Sequence, residues 1–243
     1  MSGEGPEHTT MLRWYREKLA RNFNLPENTF IGRHVKKLLE KNNAVLEMEA
    51  VRLCDIQPDH QVLEVGFGPG IGIQAACHLI EDGNGTVQGI DISSLMLETA
   101  TERNGKFLQT GKLILHLQDV ADSTFDSNTF DRVFHCNCYY FWKDSLQAAK
   151  ELYRVMKPRS IMVTTLDHDA IINAQKKNLL QYGKPDPEEY IHVLETVGFR
   201  DVRMEHLNHE RSGRKYQAIF AYIGDKKEDK YIDEANKGRL SVT

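Results

Sequence analysis

The sequence lacks an apolar run of the ~18 residues that a membrane-spanning helix needs. Its first ten residues, MSGEGPEHTT, hold no apolar core and do not read as a secretory signal. Cysteine is scarce. Cys54, Cys77, Cys136 and Cys138 in 243 residues make no disulfide framework, so a reducing, cytoplasmic setting is expected. There is no excess of positive charge. The 31 Lys and Arg stand against 35 Asp and Glu, for a net charge of −4, which excludes non-specific coating of nucleic acid phosphates. Internal repeats and low-complexity tracts are absent. What remains, 40% apolar and 27% charged, is the balance of an ordinary globular chain.

The N-terminal quarter reads as helix. Met11, Leu12, Tyr15, Leu19 and Phe23 recur at helical spacing from Thr10, and a loop follows over Asn24–Asn28. A second helix is expected from about Gly32 to Leu53, with Asn42–Asn43 as a candidate break. Strands and helices then alternate. Strands are expected at 61–65, 86–90, 112–117, 132–136 and 161–166. The helices between and after them cover 71–81, Ser94 to a C′ glycine at Gly111, Asp144 to Met156 through a capping box with Gln147, and 169–182. A last helix starts at Asp186-Pro187 and stops at Gly198, and two late strands cover 201–206 and 216–223. Such alternation predicts a doubly wound α/β sheet covered on both faces, with ligands at the carboxyl ends of its strands.

The residues at those strand ends are informative. VLEVGFGPG places Gly66, Gly68 and Gly70 just after the first strand, where glycine lets the backbone approach a ligand closely. Asp91 ends the second strand, where an acid can accept two hydrogen bonds from a ribose diol. Asp119 ends the third strand and can reach an adenine amino group, while Ile92 and Val120 can sandwich the ring. Together they form an adenosine pocket. A dinucleotide fingerprint would need a further glycine at 71 or 73, and both positions are isoleucine.

The set Glu64-x-Gly66-x-Gly68-x-Gly70, Asp91 in GIDIS, Asp119 in LQDVAD, FDRVFHCNCYYFW, KELYRVMKPRS and LETVGF resembles the class I S-adenosylmethionine-dependent methyltransferases. Within that family the chain is similar to small-molecule members, including relatives of the ubiquinone and menaquinone biosynthesis methyltransferases. Arg159-Ser160 stands where the family usually has two glycines. The resemblance implies a Rossmann-like seven-stranded sheet, six strands parallel and the last antiparallel, with N-terminal helices as a lid. It implies a lid over 1–54, a methyltransferase domain over 55–224 and a charged tail over 225–243. It also implies that Glu64, Gly66, Phe67, Gly68, Gly70, Asp91, Ile92, Asp119, Val120 and Asn137 hold the cofactor, S-adenosylmethionine.

No catalytic base and no metal site is identified. Cys136-x-Cys138 has no second Cys/His pair at finger spacing and is read as buried thiols. Tyr139, Tyr140, Phe141 and Trp142 are either core filler or a substrate wall. His135, His168 and His209 are read as ordinary groups, and Arg33, Lys36, Lys37 and Lys41 as a solvated face. The expected acceptor is a small molecule. Nucleic acid is disfavoured because Asn137-Cys138-Tyr139-Tyr140 lacks the prolines of the N-P-P-aromatic motif. Two alternatives remain: a methyltransferase fold that only binds a partner, and a short-chain NAD(P) dehydrogenase using Tyr139-x-x-x-Lys143. Asp91→Ala is expected to weaken the cofactor and leave fold stability nearly unchanged.

Overall fold

Seven strands form one sheet in the order β3-β2-β1-β4-β5-β7-β6. The computed structural model describes residues 6–180 and 185–225, and side chains from residue 11 onward except at 12. The expected tail beyond Asp225 therefore lies outside the described residues, as does the end of the helix expected to reach Tyr182. The strands are β1 (Gln61–Val65), β2 (Thr86–Asp91), β3 (Leu113–Leu117), β4 (Phe130–Cys136), β5 (Met156–Leu166), β6 (Arg200–Asn208) and β7 (Lys215–Tyr222). The helices are α1 (Pro6–Asn24), α2 (Phe30–Leu53), α3 (Ile71–Ile80), α4 (Ser94–Arg103), α5 (Gly105–Gln109), α6 (Ser145–Val155), α7 (His168–Lys176) and α8 (Pro187–Val197). Among the described residues, no helix is long and apolar enough to cross a membrane.

Strand position follows burial. β1 is central, pairs in parallel with β2 and β4, and is buried on both faces from Val62 on, as expected for a strand covered by helices on both sides. β6 is an edge strand whose exposure alternates along its length except at Met204–Glu205. β7 is antiparallel to both β5 and β6, which leaves the other six strands parallel, as the resemblance implies.

Several boundaries differ from expectation for local reasons. α2 runs unbroken through Asn42–Asn43. Ser93, not Ser94, caps α4, because Ser93 has the extended backbone and its hydroxyl accepts from the Met96 amide. The helix toward Gly111 breaks at Asn104, whose side chain donates to the Gly70 and Ala100 carbonyls. Gly111 does take the left-handed conformation, φ 70°, just past α5. Asp144 caps α6, but the Gln147 side chain donates to Ala121 instead of completing the box. β4 and β5 both start earlier than expected because Phe130 pairs with Met156. Arg159 sits at φ 62° within β5, a left-handed conformation that glycine adopts without strain.

The two faces of the sheet carry separate cores. One gathers α2 and α3 around Val62, Phe134 and Val163; the other gathers α6 and α8 around Leu63, Val133 and Met162. The second half of α2 belongs to the first core. Leu46 and Ala50 are fully buried, and the Thr165 hydroxyl donates to the Leu46 carbonyl at 2.9 Å. Within the expected lid, then, the segment from Leu46 onward packs against the sheet.

Candidate functional site

A cavity of about 330 Å³ opens at the carboxyl ends of β1, β2 and β4. Its floor is the glycine loop after β1. Gly66 and Gly68 have φ 68° and 51°. At Gly66 a Cβ would stand 3.1 Å from the Cys138 Cβ, so the loop lies tight on the β4 turn. Its roof comes from the α1–α2 turn, Phe23 to Pro26, and from Leu39, Asn43 and Glu47 of α2. Leu39, Asn43 and Glu47 lie four residues apart, on one helical face.

Asp91 forms part of the wall, half-buried, and holds the loop. Its Oδ2 accepts from the Gly68 amide at 2.9 Å and its Oδ1 from the Ser93 amide at 2.8 Å. Burial pushes its carboxyl up to about 6, against the pull of those amides. Asp119 is exposed on the same wall and accepts from the Ala121 amide, closing a 3-10 turn over Val120–Asp122. Beside the two acids, Ile92 and Val120 present apolar surface. Asn137, at φ 48°, donates to Asn43 at 3.1 Å and accepts from the Asp167 amide, tying the β4 turn to α2 and to the end of β5.

Three of the residues expected to hold the cofactor do not line the cavity. Phe67 is fully buried under the loop and packs against Gly89 of β2, where a Cβ would meet its ring at 2.8 Å. The left-handed glycines on either side of it turn the ring into the core. Gly70 starts α3 behind the loop, covered by Asn104. Glu64 is 1% exposed beneath the loop, and its Oε2 has no partner among the described residues. Burial first, then Glu47 and Asp91, push its carboxyl well above the usual range.

Glu47 was not expected. It is buried and part of the cavity wall, accepts from the Gly72 amide at 3.1 Å, and is pushed up to about 7 by burial. The available signal was a glutamate on the same face of α2 as the core residues Leu46 and Ala50. Other wall residues that sequence reasoning passed over include Asn43, the α1–α2 turn, Pro69, Met96 and Gln118.

The aromatic run divides. Tyr139 and Tyr140 are buried in the core, and Phe141 and Trp142 line the cavity. Tyr139 stacks on Tyr190 at 4.3 Å and its hydroxyl donates to the Pro185 carbonyl. A dehydrogenase tyrosine has to face its substrate, and this one does not. Cys136 and Cys138 both reach the cavity as free thiols. His135 is buried and hydrogen-bonded to Tyr190 and Thr164. Neither a histidine nor any of Arg33, Lys36, Lys37 and Lys41 is part of the wall. Among the described residues, no cluster of three His, Cys, Asp or Glu has a metal-holding arrangement.

The chain is similar to known proteins. A family model described as a methyltransferase domain matches residues 62–159. The Bacillus subtilis protein named uncharacterized methyltransferase YdaC is 24% identical over 171 residues, 70% of this chain and 88% of that protein. Phosphoethanolamine N-methyltransferase 2 of Caenorhabditis elegans is 29% identical over 115 residues, 47% of this chain and 25% of that protein. Among solved structures, the Haemonchus contortus phosphoethanolamine N-methyltransferase 2 in complex with S-adenosyl-L-methionine superposes with a TM-score of 0.65 at 17% identity. The match covers 87% of this chain and 60% of that one. The chain thus spans a quarter to 60% of the length of these phosphoethanolamine enzymes.

Proposed function

Because the chain is a class I S-adenosylmethionine-dependent methyltransferase, we propose that its cavity binds that cofactor beside a small-molecule acceptor and aligns the two for methyl transfer. The observation that carries this is the make-up of the cavity wall, which combines two groups of residues: Asp91, Asp119, Ile92 and Val120, and Phe141, Trp142 and the α1–α2 turn. The first group suits a ribose diol and a flat purine. The second suits an apolar or amine-bearing acceptor, and the phosphoethanolamine enzymes among the relatives act on a small amine.

When bound, the cofactor supplies an electrophilic methyl on a sulfonium. The protein's part is to orient and to exclude water. Orientation of this kind can lower a barrier by about 7–11 kcal/mol. Gly66 and Gly68 bring backbone against the ligand, Asp91 would fix the ribose, and Asn137 holds the β4 turn to α2. A volume near 330 Å³ is at the low end for ligand cavities, which argues for a compact acceptor. Four free thiols support a reducing compartment such as the cytoplasm. The α1–α2 turn and the first half of α2 would serve as the lid, with the body of the enzyme extending to about residue 224.

Calorimetric titration with S-adenosylhomocysteine tests the reading. Micromolar binding is expected, with none by reduced nicotinamide dinucleotide. Absence of binding at millimolar ligand would sink it in favour of an inactive scaffold.

A further inference from the structure

The N-terminal helices carry charge opposite in sign to the rest of the chain. Residues 11–41 hold eight Lys and Arg against three Glu, within a protein of net charge −4. On α2 this charge forms a row. Arg33, Lys37 and Lys41 follow at intervals of four and share one helical face, and Phe30 and Met48 extend that face at its two ends. All five side chains are exposed, Phe30 at 88%. At 1.5 Å per residue the row runs about 27 Å along the helix. The acids of α2 do not offset it. Glu40 is engaged with Arg103, and Glu47 and Glu49 are buried. Among the described residues, none of the three cations forms an ion pair; Arg33 donates to the Asn28 side chain at 3.0 Å. α1 adds aromatic surface. Its residues from Arg13 to Glu17 are exposed on every side, and Met11, Trp14 and Tyr15 lie together on one face, Trp14 at 53% exposure.

We propose that the exposed faces of α1 and α2 dock on an anionic lipid surface, with the α2 cations at the headgroups and Phe30, Met48, Trp14 and Tyr15 in the boundary beneath them. The mixture of residues decides the partner. A nucleic acid backbone uses the cations but gains nothing from a bare Phe30 in the same row. A protein interface is depleted of lysine at its centre. An interfacial helix combines Lys and Arg with exposed aromatic and aliphatic side chains, and Trp and Tyr favour a boundary that is apolar on one side and wet on the other. The sign of the charge fits the negative potential of an anionic leaflet. The docking does not depend on the cofactor reading, but it adjoins the cavity. Leu25, in the turn between the two helices, is both exposed and part of the cavity wall, and Phe30 follows five residues later. A chain docked in this way holds the roof of its cavity against the membrane.

Sedimentation of the full chain with lipid vesicles tests this. Vesicles of phosphatidylcholine are compared with vesicles containing roughly a third phosphatidylserine, at low and at high salt. Native protein should bind the anionic vesicles at least about tenfold more tightly than the neutral ones, and less tightly at high salt. Arg33→Gln, Lys37→Gln and Lys41→Gln combined should cost at least about tenfold in that affinity, and Phe30→Ser several-fold at unchanged charge. The four side chains are exposed, so both variants should melt as native does. Trp14 and Trp142 are the two tryptophans. In a Trp142→Phe background the Trp14 emission should shift to the blue on anionic vesicles and not on neutral ones. Absence of binding to anionic vesicles at millimolar lipid would overturn the proposal. So would unchanged binding by the triple variant, or an unshifted Trp14. Equal affinity for heparin, with no effect of Phe30→Ser on vesicles, would make the face a general polyanion patch and overturn it as well.

Discussion

Glu64 on β1 and His135 on β4 lie on paired strands, one residue out of step: Glu64 is opposite Phe134, and Val65 is opposite His135. Their side chains therefore project to opposite faces of the sheet, and the two buried polar groups they anchor differ in kind. On one face Glu47, Glu64 and Asp91 are acids crowded together; among the described residues they have no dedicated cation, and Glu64 Oε2 has no donor. On the other face His135 Nε2 lies 2.9 Å from the Tyr190 hydroxyl and 2.8 Å from the Thr164 hydroxyl, framed by Trp142 and by the Tyr139–Tyr190 stack. Burial lowers His135 to about 3, so it is neutral. Each group leaves one buried atom without a partner among the described residues, Glu64 Oε2 on the acid face and His135 Nδ1 on the other. What differs is charge: the imidazole is neutral, whereas ionised carboxylates here would lack compensation. Buried polarity alone does not mark a site; a cluster of buried ionisable acids on a cavity wall does.

The largest test of this contrast is Tyr190→Ala. It removes a fully packed ring, its stack and the His135 bond, and should lower stability by about 3–5 kcal/mol in chemical denaturation. Cofactor affinity, measured where the variant is still folded, should stay within a few-fold of native. A large selective loss of affinity would break the contrast by making the neutral core part of the site.

Next in size is the pH dependence of stability without ligand, where the two faces carry opposite signs. Glu47 is raised to about 7 and Asp91 to about 6, so between their ordinary values and these the folded chain binds more protons than the unfolded one. Their contribution is full at low pH and is lost as pH rises through about 4–7. His135, lowered to about 3, binds its proton in the unfolded chain first, so its contribution grows as pH rises from about 3 to 6.5. Above about pH 6 only the acid face still changes strongly. Stability should fall by about 1.5 kcal/mol from about pH 6 to 7.5, read as a drop in melting temperature, and Glu47→Gln should flatten that fall. A rising native profile in that window would show that the acids are already ionised.

The smallest effect on stability belongs to Asp91→Ala, and it revises an expectation. An acid at the end of a strand was expected to matter for the ligand alone. Here its two oxygens also hold the Gly68 and Ser93 amides. The variant should lose about 1–2 kcal/mol of stability together with at least about tenfold in S-adenosylhomocysteine affinity. Intact affinity with lowered stability would leave Asp91 a loop brace only.

Much of this was legible in the sequence. β1 was read at its observed bounds, because a buried central strand is an apolar run stopped by glycine, and both cues are local. Asp91, Ile92, Asp119, Val120 and Asn137, singled out at strand ends, all lie on the cavity wall, since strand ends converge in a doubly wound sheet. Phe67 was misjudged because the direction of a loop side chain depends on the φ of its neighbours, which composition does not carry. Ser94 was chosen over Ser93 because two identical letters differ only in backbone conformation. Glu47 was missed for a deeper reason. A single acid on a helix reads as part of the solvated face, and its meaning lies in a contact with Gly72 on another element.

Gly72 carries a consequence for how this sequence can change over time. A methyl group there would stand 2.5 Å from the Glu64 carboxyl, so that buried carboxyl has to shift to admit it. Alanine at 72 is accepted more readily on a background in which position 64 has already shortened, and a lineage that reverses the order passes through an intermediate with a displaced buried acid. The two positions are coupled in sequence space by a direction of travel, so descendants of this chain should keep glycine at 72 for as long as they keep glutamate at 64.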